Sequence, residues 1–291
     1  MKTGWKGYSA GALAAACYGL NPLFALPLYA RGMDVDSVLF YRYFFAVVMM
    51  GVLLKVEGQT FHLHRREILP LLGLGLLFSC SSLFLFLSYN YMDAGIASTL
   101  LFIYPILTAL IMALVYKEKV SRKTVLSISL AFVGILLLTR TSGGGMVSLL
   151  GIALVFLSSL TYALYIVAVN RSFLKDFPSA KITFYALLSG ILIYVVRLQG
   201  CTTLQIPSDL FMWGCCFGLA FFPTIISLVF MNISIHHIGS TRASILGALE
   251  PVTALIVGVL VFHEAFTFRI FCGIVLVLGG VTLMVYHKKS K

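Results

Sequence analysis

The sequence predicts an all-α integral membrane protein, with ten transmembrane helices arranged as two inverted five-helix repeats. Three observations lead there: the chain is too apolar for water, its apolar runs have spanning length, and its second half repeats motifs of its first. Of 291 residues, 60% are hydrophobic and 11% charged, and the mean hydropathy is +1.01. A soluble domain carries about 25% charged residues. No long polar segment offers a separate soluble domain, so the chain reads as one membrane unit.

A spanning helix needs about 20 mostly apolar residues. Such runs lie near 8–30, 36–55, 68–90, 94–116 and 123–140, and again near 148–170, 179–197, 209–231, 240–262 and 268–287. Ser142-Gly143-Gly144-Gly145 makes the central break. The organisation expected is a first repeat at 1–141, a Gly-rich connector at 142–147 and a second repeat at 148–291. The tightest joints fall around Asp93 and at His236-His237-Ile238-Gly239. Lys2 and Lys6 give the first run the basic start of a signal peptide. Its apolar length exceeds an h-region and no small-residue cleavage site ends it, so it is expected to stay.

Charge sets the expected orientation. With the N-terminus inside, sixteen of the 21 Lys and Arg residues fall on the inner side. The other five are Arg31, Arg42, Arg140, Arg197 and Arg269, of which Arg42 lies within a span. This is the positive-inside pattern, with both termini cytoplasmic in a cell (inner) membrane. It accounts for the net charge of +11 without nucleic acid. The six cysteines show no Cys-x-x-Cys spacing and read as small core residues.

Sliding the chain by 146 residues aligns 97–140 with 243–286 without a gap, with eleven identical positions. Among them are Ala97/Ala243, Ser98/Ser244, Pro105/Pro251, Glu118/Glu264 and Gly134/Gly280. Matched Leu and Val mean little in so apolar a chain, but the recurring Pro-to-Glu-to-Gly spacing does. A weaker match at an offset of 144 pairs Gly7 with Gly151 and Tyr18 with Tyr162. Five spans per half is an odd number, so the second half enters the membrane from the opposite side. Inverted repeats with a midplane site between them are a signature of secondary transporters.

Ala94-Gly95-Ile96-Ala97-Ser98 through Pro105 to Glu118, repeated as Ala243 through Glu250-Pro251 to Glu264, resembles the drug/metabolite transporter superfamily, EamA type. Tyr18-Gly19 with Asn21, Arg42, and Tyr162 to Arg171 fit that family's habits as well. The resemblance spans essentially the whole chain and is strongest in the fourth, fifth, ninth and tenth helices. It implies ten helices, both termini cytoplasmic, and export or exchange of small metabolites such as amino acids. The first-helix aromatic is Tyr18 where the family often has Trp. Independently, the sequence carries no Walker-type phosphate loop. The driving force is then a substrate gradient or a coupled proton or ion.

Polar groups within a span are expensive, so each requires a reason. Glu250 stands near the middle of the ninth span, directly before Pro251, whose missing N–H opens the helix. Its repeat counterpart is Tyr104, so the acid is not a copied structural feature. It is a candidate for substrate amine or proton binding; a structural partner such as Arg42 and a neutral, protonated carboxyl are the alternatives. Arg42 lies about two turns inside the outer end of its span, where it either snorkels outward or clamps a substrate carboxylate. Glu118 and Glu264 end the fourth and ninth helices and are expected to cap or pair with Lys119, Arg122 and Arg269. Asn21-Pro22 and Pro27 are expected to interrupt the first span, and Pro223, with Thr224 and Ser227, the eighth. Pro105 and Pro251 are the matched gating candidates. Tyr18, Tyr89, Tyr104, Tyr162, Tyr165 and Tyr185 are candidates to line an amphiphilic cavity, with Asn90 near the end of the third span. Single aromatics are more often packing or belt residues. His236-His237 reads as an interfacial pair before a proton relay.

The function expected is secondary transport of small organic metabolites such as amino acids, by alternating access around a cavity lined by the first, third, fourth, sixth, eighth and ninth helices. Drug- or nucleoside-type efflux in the same fold is the alternative. A membrane-embedded enzyme would need clustered His, Asp or Glu at one depth, and a channel would have no use for an inverted repeat. The partners expected are a small-molecule substrate, the lipid bilayer and the coupled proton or ion. No cofactor and no metal are expected.

Overall fold

The computed structural model describes residues 2–92, 94–118, 120–138, 148–171, 177–261 and 268–286. The connector at 142–147, Lys119 and Glu264 lie outside these. Every regular element among the described residues is helical, because within lipid a segment must satisfy its own backbone hydrogen bonds. The first span is split into α1 (Lys2–Tyr18) and α2 (Asn21–Ala30). The second and third are continuous, α3 (Val35–Val56) and α4 (Arg65–Ser88). The fourth is split into α5 (Ala94–Leu101) and α6 (Tyr104–Leu114), and α7 (Arg122–Leu138) is the fifth.

In the second repeat, α8 (Leu149–Arg171) and α9 (Ser179–Arg197) are continuous. The eighth span runs through α10 (Leu210–Ala220), a π-helical turn at Phe221–Ile226, and α11 (Ser227–Ile238). The ninth is split into α12 (Ser240–Leu246) and α13 (Leu249–Val261), and α14 (Phe268–Tyr286) is the tenth. The eighth span therefore extends to Ile238, beyond its expected end at 231. Its polar close, His236-His237, is still helical and stops only at Gly239, whose φ of +83° disfavours any other residue. Polar caps set the starts of two helices. Asp34 accepts from Ser37 N at 2.7 Å at the start of α3, and Asp209 from Met212 N at 2.7 Å at the start of α10.

The two repeats share more than span count. The break in the fourth span and the break in the ninth coincide within one residue on the 146-residue offset, each just ahead of Pro105 or Pro251. At both breaks the backbone tightens to three-residue turns, Ile103 N to Leu100 O and Ala248 N to Ile245 O, each at 3.1 Å. A proline cannot donate to the helix ladder, and its ring excludes the carbonyl four residues back.

Packing reveals the pseudo-two-fold directly. A Cβ on Gly134 of α7 would meet Gly273 O at 2.7 Å and Val277 N at 2.8 Å on α14. A Cβ on Gly280 of α14 would meet Ser127 O at 2.7 Å and Ala131 N at 3.0 Å on α7. Shifted by 146 residues, either set becomes the other, which is the reciprocity of a contact lying on a two-fold axis. The second span packs on the seventh, its repeat equivalent, in the same self-paired way. Elsewhere α1 lies along α11 and α4 along α8, again equivalent pairs. Helices therefore pack chiefly against the opposite repeat, and the repeats interdigitate.

Candidate functional site

The first, third, fourth, sixth and ninth spans each bring a polar or aromatic residue to one buried region. Glu250 is 7% exposed, and Tyr18, Tyr104 and Tyr162 are buried. Its carboxylate is within electrostatic reach of Tyr18, Tyr89, Tyr104 and Tyr162, from the first, third, fourth and sixth spans. The rings also pack on one another: Tyr104 and Tyr162 at 4.9 Å between centroids, Tyr18 and Tyr162 at 6.1 Å. Among the described residues, no side chain hydrogen-bonds or ion-pairs with the Glu250 carboxylate.

The break of the first span is what admits this acid. A Cβ on Gly19 would sit 2.4 Å from Glu250 O and 2.9 Å from Thr253 Cβ, so only glycine lets the two spans meet. The chain bends at Gly19-Leu20, one residue ahead of Asn21-Pro22; Pro22 sits in the first turn of α2, where its missing N–H costs nothing. Pro27 lies inside α2 without ending it, unlike the expectation. Asn21 donates through Nδ2 to Tyr18 O at 2.9 Å, and its Oδ1 is buried without a partner.

Arg42 does not snorkel. It is fully buried, and its Nε donates to Thr224 Oγ1 at 2.6 Å, with Nη2 3.4 Å from Pro223 O. Its guanidinium lies 5.2 Å from the Phe86 ring centroid and 5.9 Å from that of Tyr18, while Nη1 is buried without a partner. The π-helical turn explains the anchor. Pro223 has no N–H to offer the preceding turn; the Thr224 hydroxyl donates instead to Leu219 O at 2.8 Å and accepts from Arg42. Pro223 thus widens the eighth span without breaking it.

Not every candidate joins this region. Asn90 is exposed at the end of the third span. Tyr165 is buried one ring further on, stacked on Tyr162 at 6.2 Å, and donates to Asn232 Oδ1 at 2.9 Å. Asn232 in turn donates to Thr183 Oγ1 at 3.1 Å. This buried chain is absent from the residues expected above, although an Asn within an apolar span signals it. Tyr185 leaves the core and bonds Phe61 O. His237 turns back on Ile233 O at 2.9 Å at the end of α11. Glu118 is exposed and borders a cavity of about 320 Å³ with Thr124, Asn170, Ser240 and Arg242. That cavity lies on the face that carries the start of α1, reached from Tyr104 along α6 to Met112, about 12 Å. The opposite face is latched by Arg197 Nε on Asp36 Oδ1 at 2.6 Å and by Arg31 on Asp209. No cluster of three potential metal ligands occurs among the described residues.

The model of the EamA-like transporter family matches residues 5–140 and again 149–286, once per repeat. The chain belongs to the EamA-like transporter family. Its relatives include the uncharacterized transporter YyaM of Bacillus subtilis (strain 168), 26% identical over 245 residues, covering 81% of this chain and 80% of the relative. An uncharacterized transporter of Synechocystis is 30% identical over 231 residues, covering 78% of this chain and 69% of its own. One crystal structure superposes on 99% of this chain and 100% of its own with a TM-score of 0.81 at 14% identity, a likeness of fold. This EamA-family chain is accordingly a multi-pass membrane transporter.

Proposed function

We propose that this EamA-family protein is a secondary transporter, an exporter or exchanger of small organic metabolites such as amino acids. Alternating access operates around the buried site between Glu250 and Arg42. The observation that carries this reading is a buried, unpaired acid at a helix break of the second repeat, within reach of tyrosines from four other spans. Broken helices place such groups at the midplane, and a substrate or coupled proton supplies the missing partner. The moving bodies are mixed: the first, eighth and ninth spans against the third, fourth and sixth, since those are the groups that pack together. The second/seventh and fifth/tenth pairs, joined across the axis, form the frame. With both termini cytoplasmic, the cavity beside Glu118 is the inner vestibule, and the Asp36–Arg197 and Arg31–Asp209 pairs close the outer side.

The test is counterflow of radiolabelled amino acids and nucleosides in proteoliposomes, wild type beside Glu250→Gln. Saturable flux that the substitution abolishes supports the reading. Flux unchanged by it removes Glu250 from the site, and no flux from folded protein with any solute refutes transport.

A further inference from the structure

The site's donors and acceptors are unequally committed, and the imbalance specifies a ligand charge. Several backbone carbonyls beside the helix breaks are already taken by side chains. Tyr18 O accepts from Asn21, Leu101 O from Ser159 at 3.0 Å, Tyr104 O from Thr108 at 2.8 Å and Leu249 O from Thr253 at 3.1 Å. A dehydrated alkali cation needs a shell of such oxygens in place of its water. Among the described residues, the Glu250 carboxylate and the buried Asn21 Oδ1 accept from no side chain, and both belong to the junction where Gly19 lies against the Glu250 backbone. Around them stand the Tyr18, Tyr104 and Tyr162 rings, and an aromatic face attracts an organic cation without requiring a hydrogen bond.

The cationic side is the more committed one. Arg42 has spent Nε on Thr224 and directs Nη2 at Pro223 O, and its plane lies over Phe86. Recognition of a carboxylate favours two parallel N–H donors on one edge of the guanidinium. The Nε–Nη2 edge is occupied in this way, by Thr224 and Pro223, while Nη1 keeps its N–H groups without a partner.

Resting on the transport reading above, we infer that the obligatory charged group of the substrate is an ammonium, held by Glu250 and Asn21 Oδ1 within the Tyr18, Tyr104 and Tyr162 rings, and that a substrate carboxylate is dispensable. The substrate class is a monovalent organic amine, including but not confined to amino acids. Arg42 is a positioning residue that ties the second span to the π-helical turn of the eighth.

The experiment separates the two charges on one skeleton. Purified full-length protein in detergent is titrated with phenylalanine, 2-phenylethylamine and 3-phenylpropionate, and with leucine, 3-methylbutylamine and 4-methylpentanoate, and binding is read by thermal stabilisation. Both amines are expected to bind within about tenfold of their amino acids, and neither acid to bind. Glu250→Gln should weaken the amines about 30-fold or more, the scale for losing one partner of a buried charge pair. Glu250→Asp, which keeps the charge, guards against a folding failure of the first variant. Tyr162→Phe should retain amine binding and Tyr162→Leu should lose it about tenfold, because the ring face and not the hydroxyl is used. Binding by the acids, binding by the zwitterions alone, or stabilisation by none of the six overturns the inference. Failure of the transport reading looks different: amines bind, yet proteoliposomes show no counterflow.

Discussion

The reciprocal glycines of α7 and α14 allow the inverted symmetry to be tested energetically. Gly280→Ala would place a methyl 2.7 Å from Ser127 O and 3.0 Å from Ala131 N, and Gly134→Ala a methyl 2.7 Å from Gly273 O and 2.8 Å from Val277 N. The obstructing atoms are backbone, so relief requires the helices to separate by several tenths of an ångström. Overpacking of this kind costs about 1–3 kcal/mol. A gain in helix propensity of about 1 kcal/mol for Gly to Ala offsets part of it, and both changes gain the same amount. Each single variant should therefore lose roughly 0–2 kcal/mol net, and the two losses should agree within about 0.5 kcal/mol. The double variant should lose less than the sum, because helices already separated for one methyl have room for the second. Reversible unfolding of purified protein in mixed detergent–SDS micelles measures all three. Losses differing by more than 1.5 kcal/mol between the single variants, or strict additivity in the double, would refute a contact placed on the axis.

Other consequences follow from single contacts. Thr224→Val should destabilise by about 1–3 kcal/mol in the same assay, since it leaves Leu219 O and Arg42 Nε unpaired in the core. Asn232→Leu should cost about 0.6–2 kcal/mol, the range for hydrogen bonds between membrane helices, by stranding the Tyr165 hydroxyl and removing the donor to Thr183. Asp36→Asn, at a half-exposed pair, should change stability by about 1 kcal/mol or less. It should nevertheless alter the inward/outward balance, read as thiol-reagent access to a cysteine placed at Ser121. Fusion of green fluorescent protein to the C-terminus should fluoresce and fusion of alkaline phosphatase should stay inactive; active phosphatase would reverse the proposed orientation.

The sequence determined the fold to a large degree because a membrane leaves few choices. Apolar length gives the span and the backbone demand gives the helix, so ten runs read as ten spans with mostly small errors at the ends. The repeat was legible because Pro105/Pro251 and Gly134/Gly280 do backbone work that no other residue type can do at those points. Glu250 stood out for its cost alone. What the sequence could not supply was direction around each helix axis. In so apolar a chain both faces look alike, and the lipid-facing face gives no polar contrast of the kind that marks a soluble helix. Tertiary structure alone turned Arg42 inward to Thr224, left Asn90 exposed, sent Tyr185 to Phe61 and gathered Tyr18, Tyr104 and Tyr162 about the acid. It also decided that the repeats interdigitate, since partners are chosen by close backbone approach at positions such as Gly19, Gly75 and Gly190, where the distant helix that needs the space has no trace in local sequence.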